Sequence, residues 1–311
     1  MTVLPLRKFI RVPVFVLLAA SLLGLVRAQQ PTTKTVKLLT IGNSFSGNAT
    51  SHLGKLAEAA GHKLVHRPMS VGGASLELHW NKIAAHDKDA KDAAGLYGMK
   101  NLREELRAEP WDFITIQQAS IKSHDLATYQ PFAKQLREAI AKEAPKSQLL
   151  LHQTWAYRVD DPRFKKEKSA EGEPRTRQEM YEQLTKAYDA VAKELGLKVI
   201  PVGDAFNLAD SDAEWGYKPD AKFDFKNAER PALPNQTHSL HTGWTWGKDK
   251  LGMDGHHAST AGQYLAAAVW LEMLFGENPV GNSYIPKDLD PKYARFLQET
   301  AHKAVTERKK R

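Results

Sequence analysis

The chain holds 311 residues with a formal net charge of +8, 42% hydrophobic and 26% charged positions, and no cysteine. That length can bury a sizeable core in one large domain or two small ones, and the composition excludes collagen-like, coiled-coil and wholly disordered chains. Without cysteine, disulfides, iron–sulfur clusters, thiolate zinc sites and a cysteine nucleophile are excluded as well.

The N-terminus reads as a separate object. Arg7, Lys8 and Arg11 precede a 15-residue uncharged, largely apolar run from Val12 to Val26, closed by Val26-Arg27-Ala28. Small residues at the last and third-last positions before Gln29 fit a signal-peptidase cut after Ala28, and the run is short of the ~20 residues that span a bilayer. Residues 1–28 are therefore expected to be a signal peptide, and 29–311 a single domain exported to periplasm or medium, free of the membrane after cleavage. Removing the four basic residues of the signal lowers the balance to +4. What remains of the excess sits in Glu307 to Arg311 and in the loop Arg163 to Lys168. Both read as solvated, and no nucleic-acid partner is expected.

Short aliphatic runs then alternate with helical stretches, the pattern of a parallel sheet covered by helices. The expected strands are Val36 to Ile41, Lys63 to Pro68, Phe113 to Gln117, Gln148 to His152 and Lys198 to Val202. Each is nearly all apolar, as strands buried on both faces are. Among the helices, Phe132, Leu136 and Ile140 share a face ahead of Pro145. Thr176-Arg-Gln-Glu179 forms a capping box, followed by Met180, Leu184, Tyr188, Val191 and Leu195 on one face and a stop at Gly196. Ala258 to Phe275 is apolar nearly all round and reads as a helix buried against the sheet. The stretch from about 205 to 251, rich in Asp, Pro, Gly, Trp and Tyr, reads as a long loop insertion draped over one end of the sheet.

Chemistry concentrates at two places. The first strand runs into Gly42-Asn43-Ser44-Phe45-Ser46, with a helix expected to start at Asn48 or Ala49. In an open parallel sheet, ligands bind outside the carboxyl ends of the strands. Near the other end of the chain stands Asp254-Gly255-His256-His257, ahead of the buried helix. A serine nucleophile needs an imidazole to take its proton and a carboxylate to orient that imidazole. Asp254 and His257, three apart, supply both at one rim.

Together these blocks resemble the SGNH, or GDSL-like, hydrolase superfamily over roughly Lys34 to Phe275. The resemblance implies a flavodoxin-like three-layer α/β/α sandwich with a mostly five-stranded parallel sheet. It implies Ser44 as nucleophile, His257 as base and Asp254 as its partner, with Asn43 where the family usually has Asp. Gly73, in Val71-Gly72-Gly73-Ala74-Ser75, matches the family's oxyanion glycine. An oxyanion hole is then expected from the N–H groups of Ser44 and Gly73. Where the family has an Asn after the third strand, this chain has Gln117-Gln118, so the amide of Gln117 or Gln118 is expected to complete the hole, Gln118 being preferred. His152, Gln153, Trp155 and Trp244 are expected to line the substrate site.

The resulting expectation is an exported serine esterase acting on small acyl groups, such as O-acetyl groups, of a carbohydrate or small-molecule ester, with no metal or organic cofactor. A non-catalytic carbohydrate-binding or surface protein on the same fold is one alternative. The other is a metal-dependent hydrolase using His238, His241 and His256; Pro231, Pro234 and Gly243 place that segment in a loop, where the spacing fixes no ligand geometry.

Overall fold

The computed structural model describes residues 1–2, 33–165 and 172–310, so the signal-peptide reading falls almost wholly outside the described residues. Contacts divide the chain into two units, Met1–Thr32 and Thr33–Arg311, and every described helix and strand belongs to the second. In chain order, β1 (Thr35–Gly42) leads through α1 (Ser44–Thr50) and α2 (Leu53–Ala59) to β2 (Lys63–Ser70) and α3 (Leu76–Lys88). A small hairpin, β3 (Leu96–Tyr97) and β4 (Lys100–Asn101), precedes α4 (Leu102–Arg107), β5 (Phe113–Ile116) and α5 (Phe132–Glu143). Then come β6 (Gln148–His152), α6 (Arg177–Leu195), β7 (Lys198–Ile200) and α7 (Val202–Asp210). A second hairpin, β8 (His241–Trp246) and β9 (Leu251–Ala258), is followed by α8 (Thr260–Phe275) and α9 (Pro291–Arg308).

Five of these strands form one parallel sheet in the order β2-β1-β5-β6-β7. On one face α8 packs against α1, α2, α7 and α9; on the other α3, α4, α5 and α6 pack in succession. This is a three-layer α/β/α sandwich. The order reverses between β1 and β5, so a crevice opens at their carboxyl ends.

All five expected strands form. The last is shorter than its pattern, because Pro201 has no N–H to extend the ladder and instead opens α7. The capping box forms with one change: Thr176 Oγ1 accepts from Glu179 N at 3.1 Å, while the Glu179 carboxylate accepts from Arg175 N, one residue before the cap, at 2.7 Å. Gly196 and Gly276 end α6 and α8 in the left-handed conformation.

Three features depart from the sequence reading. First, α1 starts at Ser44 rather than Asn48, because Asn43 serves as its N-cap. Second, residues 205–251 are not one loop, since the segment begins inside α7 and ends in a hairpin, leaving 211–240 and the hairpin turn 247–250 without helix or strand. Third, the chain closes with α9, started by Asp290 capping Lys292 and Tyr293 with Pro291 in the first turn. Arg308 at its end pairs with Asp189 and is 13% exposed, so the basic tail is anchored rather than wholly solvated. No described helix is long and apolar enough to cross a membrane.

Candidate active site

Ser44 is the first residue of α1, two positions beyond the end of β1. The turn is tight at Gly42, where a Cβ would lie 2.6 Å from Ser46 Oγ and 2.9 Å from Gln117 Oε1. Asn43 is buried and holds three blocks together. Its side-chain Oδ1 accepts from Phe45 N (2.9 Å) and Gln117 Nε2 (2.8 Å), and its Nδ2 donates to Ala74 O (2.9 Å). A carboxylate at this position could not donate to Ala74 O, which gives the Gly-Asn-Ser departure from Gly-Asp-Ser a physical reason.

The hairpin supplies the partners. Asp254 lies in the middle of β9 and His257 near its end, not at the entrance of α8, and β9 is tied to α1 by Ala258 N donating to Asn48 Oδ1 at 3.0 Å. His257 Nδ1 donates to Asp254 Oδ2 at 2.8 Å, and Asp254 Oδ1 accepts from His257 N at 3.0 Å. With Nδ1 protonated, Nε2 is the free lone pair, and Ser44 Oγ donates to it at 2.8 Å. The structure thus brings Ser44, His257 and Asp254 into one hydrogen-bonded line. Burial acts to raise the Asp254 carboxyl, but the His257 N–H groups and the two neighbouring imidazoles outweigh it and hold the group below its ordinary value. His256 also contacts Asp254 Oδ1, through Nδ1 at 3.0 Å, and burial first, then His257 and Arg163, lower its pKa.

A cleft of ≈ 410 Å³ opens on Ser44 and His257, bordered by Gly73, Ser120, Tyr157 and Arg163 among others. Neither glutamine reaches it as an oxyanion donor. Gln118 is fully buried: its Oε1 accepts from Leu76 N and Ala119 N, and its Nε2 donates to the carbonyl and hydroxyl of Thr128. Gln117 is buried between Asn43 and His152, whose Nδ1 donates to its Oε1 at 2.9 Å.

The four expected substrate residues also lie elsewhere. His152 is 0% exposed, and burial lowers its pKa to about 3. Gln153 binds Asp204 and Thr185 in the core. Trp155 is fully buried between Phe45 and Phe206, with ring centroids at 4.3 and 4.6 Å, and its Nε1 donates to His256 O; it shapes the cleft from behind rather than stacking on a ligand. Trp244 packs on Phe225, away from the residues that border the cleft.

The cleft residues that sequence reasoning missed are Ser120, Tyr157 and Arg163. Ser120 and Tyr157 follow the third and fourth expected strands by three and five residues, so position past a strand end is the available signal. Arg163 was read as part of a solvated loop, but it is half-buried with its guanidinium 4.5 Å from the centre of the Tyr157 ring.

Of the loop histidines, His241 is buried with Nε2 donating to Ala156 O at 3.0 Å, and His238 packs on Trp215 and Tyr293. Neither joins His256. Asp254, His256 and His257 do place one ligand atom each within 4.8 Å of the others. However, Arg163 Nη2 stands 3.5 Å from His256 Nδ1, and a fixed positive charge there opposes a divalent cation.

Residues 37–219 match the model of a domain of unknown function, DUF4886. The chain belongs to the DUF4886 family. Similar in structure is a DUF4886 family protein from Bacteroides uniformis, 27% identical, at a TM-score of 0.66, with 88% of this chain and 95% of that one covered. A protein from Slackia heliotrinireducens described as a candidate SGNH hydrolase is 23% identical at a TM-score of 0.47, covering 76% and 98% of the two chains. A lipase/acylhydrolase from Enterococcus faecalis is 15% identical at 0.43, covering 78% and 96%. No curated protein matches in sequence. Ser44 and Gly73 fall inside the part of the chain that matches the DUF4886 model; Asp254 and His257 fall beyond it.

Proposed function

We propose that this DUF4886 protein is an exported serine esterase. The observation that carries the reading is the unbroken line from Ser44 Oγ through His257 to Asp254 at the mouth of a cleft. Ser44 Oγ attacks the ester carbonyl as its proton passes to His257 Nε2. The tetrahedral oxyanion is held by the backbone N–H groups of Ser44 and Gly73, without a glutamine side chain. The carbon–oxygen bond to the alcohol breaks, and His257 returns the proton to the departing oxygen. Water then attacks the acyl-enzyme, giving its proton to His257; the bond from the acyl carbon to Ser44 Oγ breaks, His257 returns the proton to Ser44 Oγ, and the acid is released. Asp254 keeps His257 in the required tautomer throughout.

The cleft volume suits a small acyl group. O-acetyl groups on carbohydrate remain the substrate class of this reading, now with polar Ser120 and Tyr157 at the cleft and without Trp155 or Trp244 as sugar platforms. Turnover of p-nitrophenyl acetate tests it. Ser44→Ala and His257→Ala should each lose on the order of 10³-fold or more in kcat, with unchanged thermal unfolding, while His256→Ala keeps most activity. Wild-type rates in a folded Ser44→Ala protein would overturn the mechanism. Loss of activity on chelation would favour the metal alternative, and sugar binding without turnover the non-catalytic one. Export is checked by N-terminal sequencing of secreted protein, which should begin at Gln29.

A further inference from the structure

Among the described residues, Arg163 is the one fixed cation bordering the cleft, and no carboxylate borders it. Its backbone N–H is engaged by Asp161 Oδ1 at 2.9 Å, and its guanidinium lies over the Tyr157 ring beside His256. Among the described residues no acidic side chain lies within ion-pair distance of that guanidinium. This contrasts with Arg158, five residues earlier, whose guanidinium is clamped by Asp160 through two hydrogen bonds of 2.7 and 3.0 Å. A half-buried guanidinium presents fork-like donors that match a carboxylate, and an unpaired one is stabilised by a ligand that supplies the counter-charge. Two hydroxyls stand on the same cleft, Tyr157 OH and Ser120 Oγ, 3.0 Å apart. Burial raises the Tyr157 phenol, with Ser120 and Arg163 offsetting part of that, so it keeps its proton and remains a donor at neutral pH.

We infer that Arg163, with Tyr157 and Ser120, forms an anion-recognition subsite beside Ser44, and that the ester hydrolysed carries a carboxylate. This rests on the esterase reading and narrows it to acidic esters. The carboxylate belongs either to the alcohol part, as in an acylated acidic sugar, or to the acyl part, as in a half-ester of a dicarboxylic acid.

Two matched pairs separate those sources. One is 4-acetoxybenzoate against 4-acetoxybenzamide, and the other is 4-nitrophenyl hydrogen succinate against its methyl ester. In one pair the wild-type protein should prefer the charged member in kcat/KM, mainly through KM. Arg163→Gln should lower that charged-to-neutral ratio roughly 10- to 100-fold, as expected for a lost charge-assisted hydrogen bond. Arg163→Lys should restore part of the preference. No preference in either pair, or a ratio unchanged by Arg163→Gln, overturns the subsite. A second arm needs no turnover: calorimetric binding of 4-acetoxybenzoate and of succinate to Ser44→Ala protein, with and without Arg163→Gln. Arginine-dependent binding there supports the subsite even if every ester proved inert, and its absence for both ligands overturns it.

Discussion

The two sides of the cleft are built differently. The nucleophile side is made from strand ends: Asn43 after β1, Gln117 after β5 and His152 at the end of β6 join in a buried chain of side-chain hydrogen bonds of 2.8 and 2.9 Å. Each member stands on a strand next to the previous one, so the ladder sets the spacing and the side chains only complete it. The base side hangs from segments distant in sequence. Arg158, 1% exposed, donates to Asp160, Gln236 and Ser239, lies 4.4 Å over Tyr217, and its backbone N–H donates to Gly255 O at 2.8 Å. That one residue fastens the strand-end segment, the irregular stretch and the hairpin bearing Asp254 and His257. Gly243 makes room for it: its φ is +74°, and a Cβ there would collide with the Arg158 guanidinium and Gln236. A sheet-backed wall spreads its support, whereas a hub concentrates it.

Removing the hub should therefore do the most damage. Arg158→Met leaves Asp160 with the Tyr217 hydroxyl but without its cation, and frees the hairpin; breaking such a buried pair costs about 3–5 kcal/mol. Urea unfolding should show the loss in midpoint, and esterase activity should fall with it, because His257 is no longer held against Ser44. A stability loss below about 1 kcal/mol, in the range of an exposed ion pair, would mean that the base side is supported elsewhere.

The sheet-backed side should lose less. Gln117→Ala strands the His152 Nδ1–H and removes one of the two donors on Asn43 Oδ1, while Phe45 N still holds the other position. An unsatisfied buried polar group costs about 1–3 kcal/mol. Gln118→Ala sharpens the point from the other direction. Losing a side-chain oxyanion donor lowers kcat by roughly 10²–10³, but Gln118 spends its amide on Thr128, Leu76 and Ala119. Its alanine variant should show reduced stability with a loss of kcat well short of that range. A collapse of kcat in folded Gln118→Ala protein would restore it to the oxyanion hole.

What could be read from the residues follows the same division. Sheet strands, helix caps and the Ser44, Asp254 and His257 blocks are local patterns, each set within a few residues by periodicity, capping chemistry or motif. The side-chain partners of Gln117 and Gln118 were not legible, because a strand-end amide can face the cleft or the core and the pattern is the same for both. Trp155 and Arg163 were misjudged for a shared reason. Their environment is made by residues far along the chain, Phe206 and His256 for the tryptophan and His256 for the arginine, whose ring partner Tyr157 is close in sequence. Residue type alone suggested an exposed platform and a solvated charge, and packing reversed both.

Each side also carries one buried histidine, which gives the smallest effect and a way to compare them directly. His152 on the strand-end side donates its Nδ1–H to Gln117 Oε1, and His241 on the hairpin side donates its Nε2–H to Ala156 O. In both rings the remaining nitrogen is buried with no partner among the described residues, so a second proton has nowhere to donate. Burial accordingly lowers both pKa values to about 3. Unfolded, each ring takes up a proton near pH 6.5. Between those values the unfolded chain binds more protons than the folded one, so stability is full above pH 6.5 and falls as the pH drops toward the folded values. The slope is on the order of 1 kcal/mol per pH unit for each ring. Carboxylates held low, such as Asp87 and Glu143, add acid sensitivity below their own ordinary range. His66 and His79, lowered to about 4, and Asp210, raised to about 6 with the opposite sign, share the window between pH 6 and 5, so each histidine is read as the difference in urea midpoint between wild type and its variant there. His152→Gln and His241→Gln should each flatten that slope by about one proton's worth. If only His241→Gln does so, His152 is already protonated or solvated in the folded chain, and the strand-end side is the looser of the two.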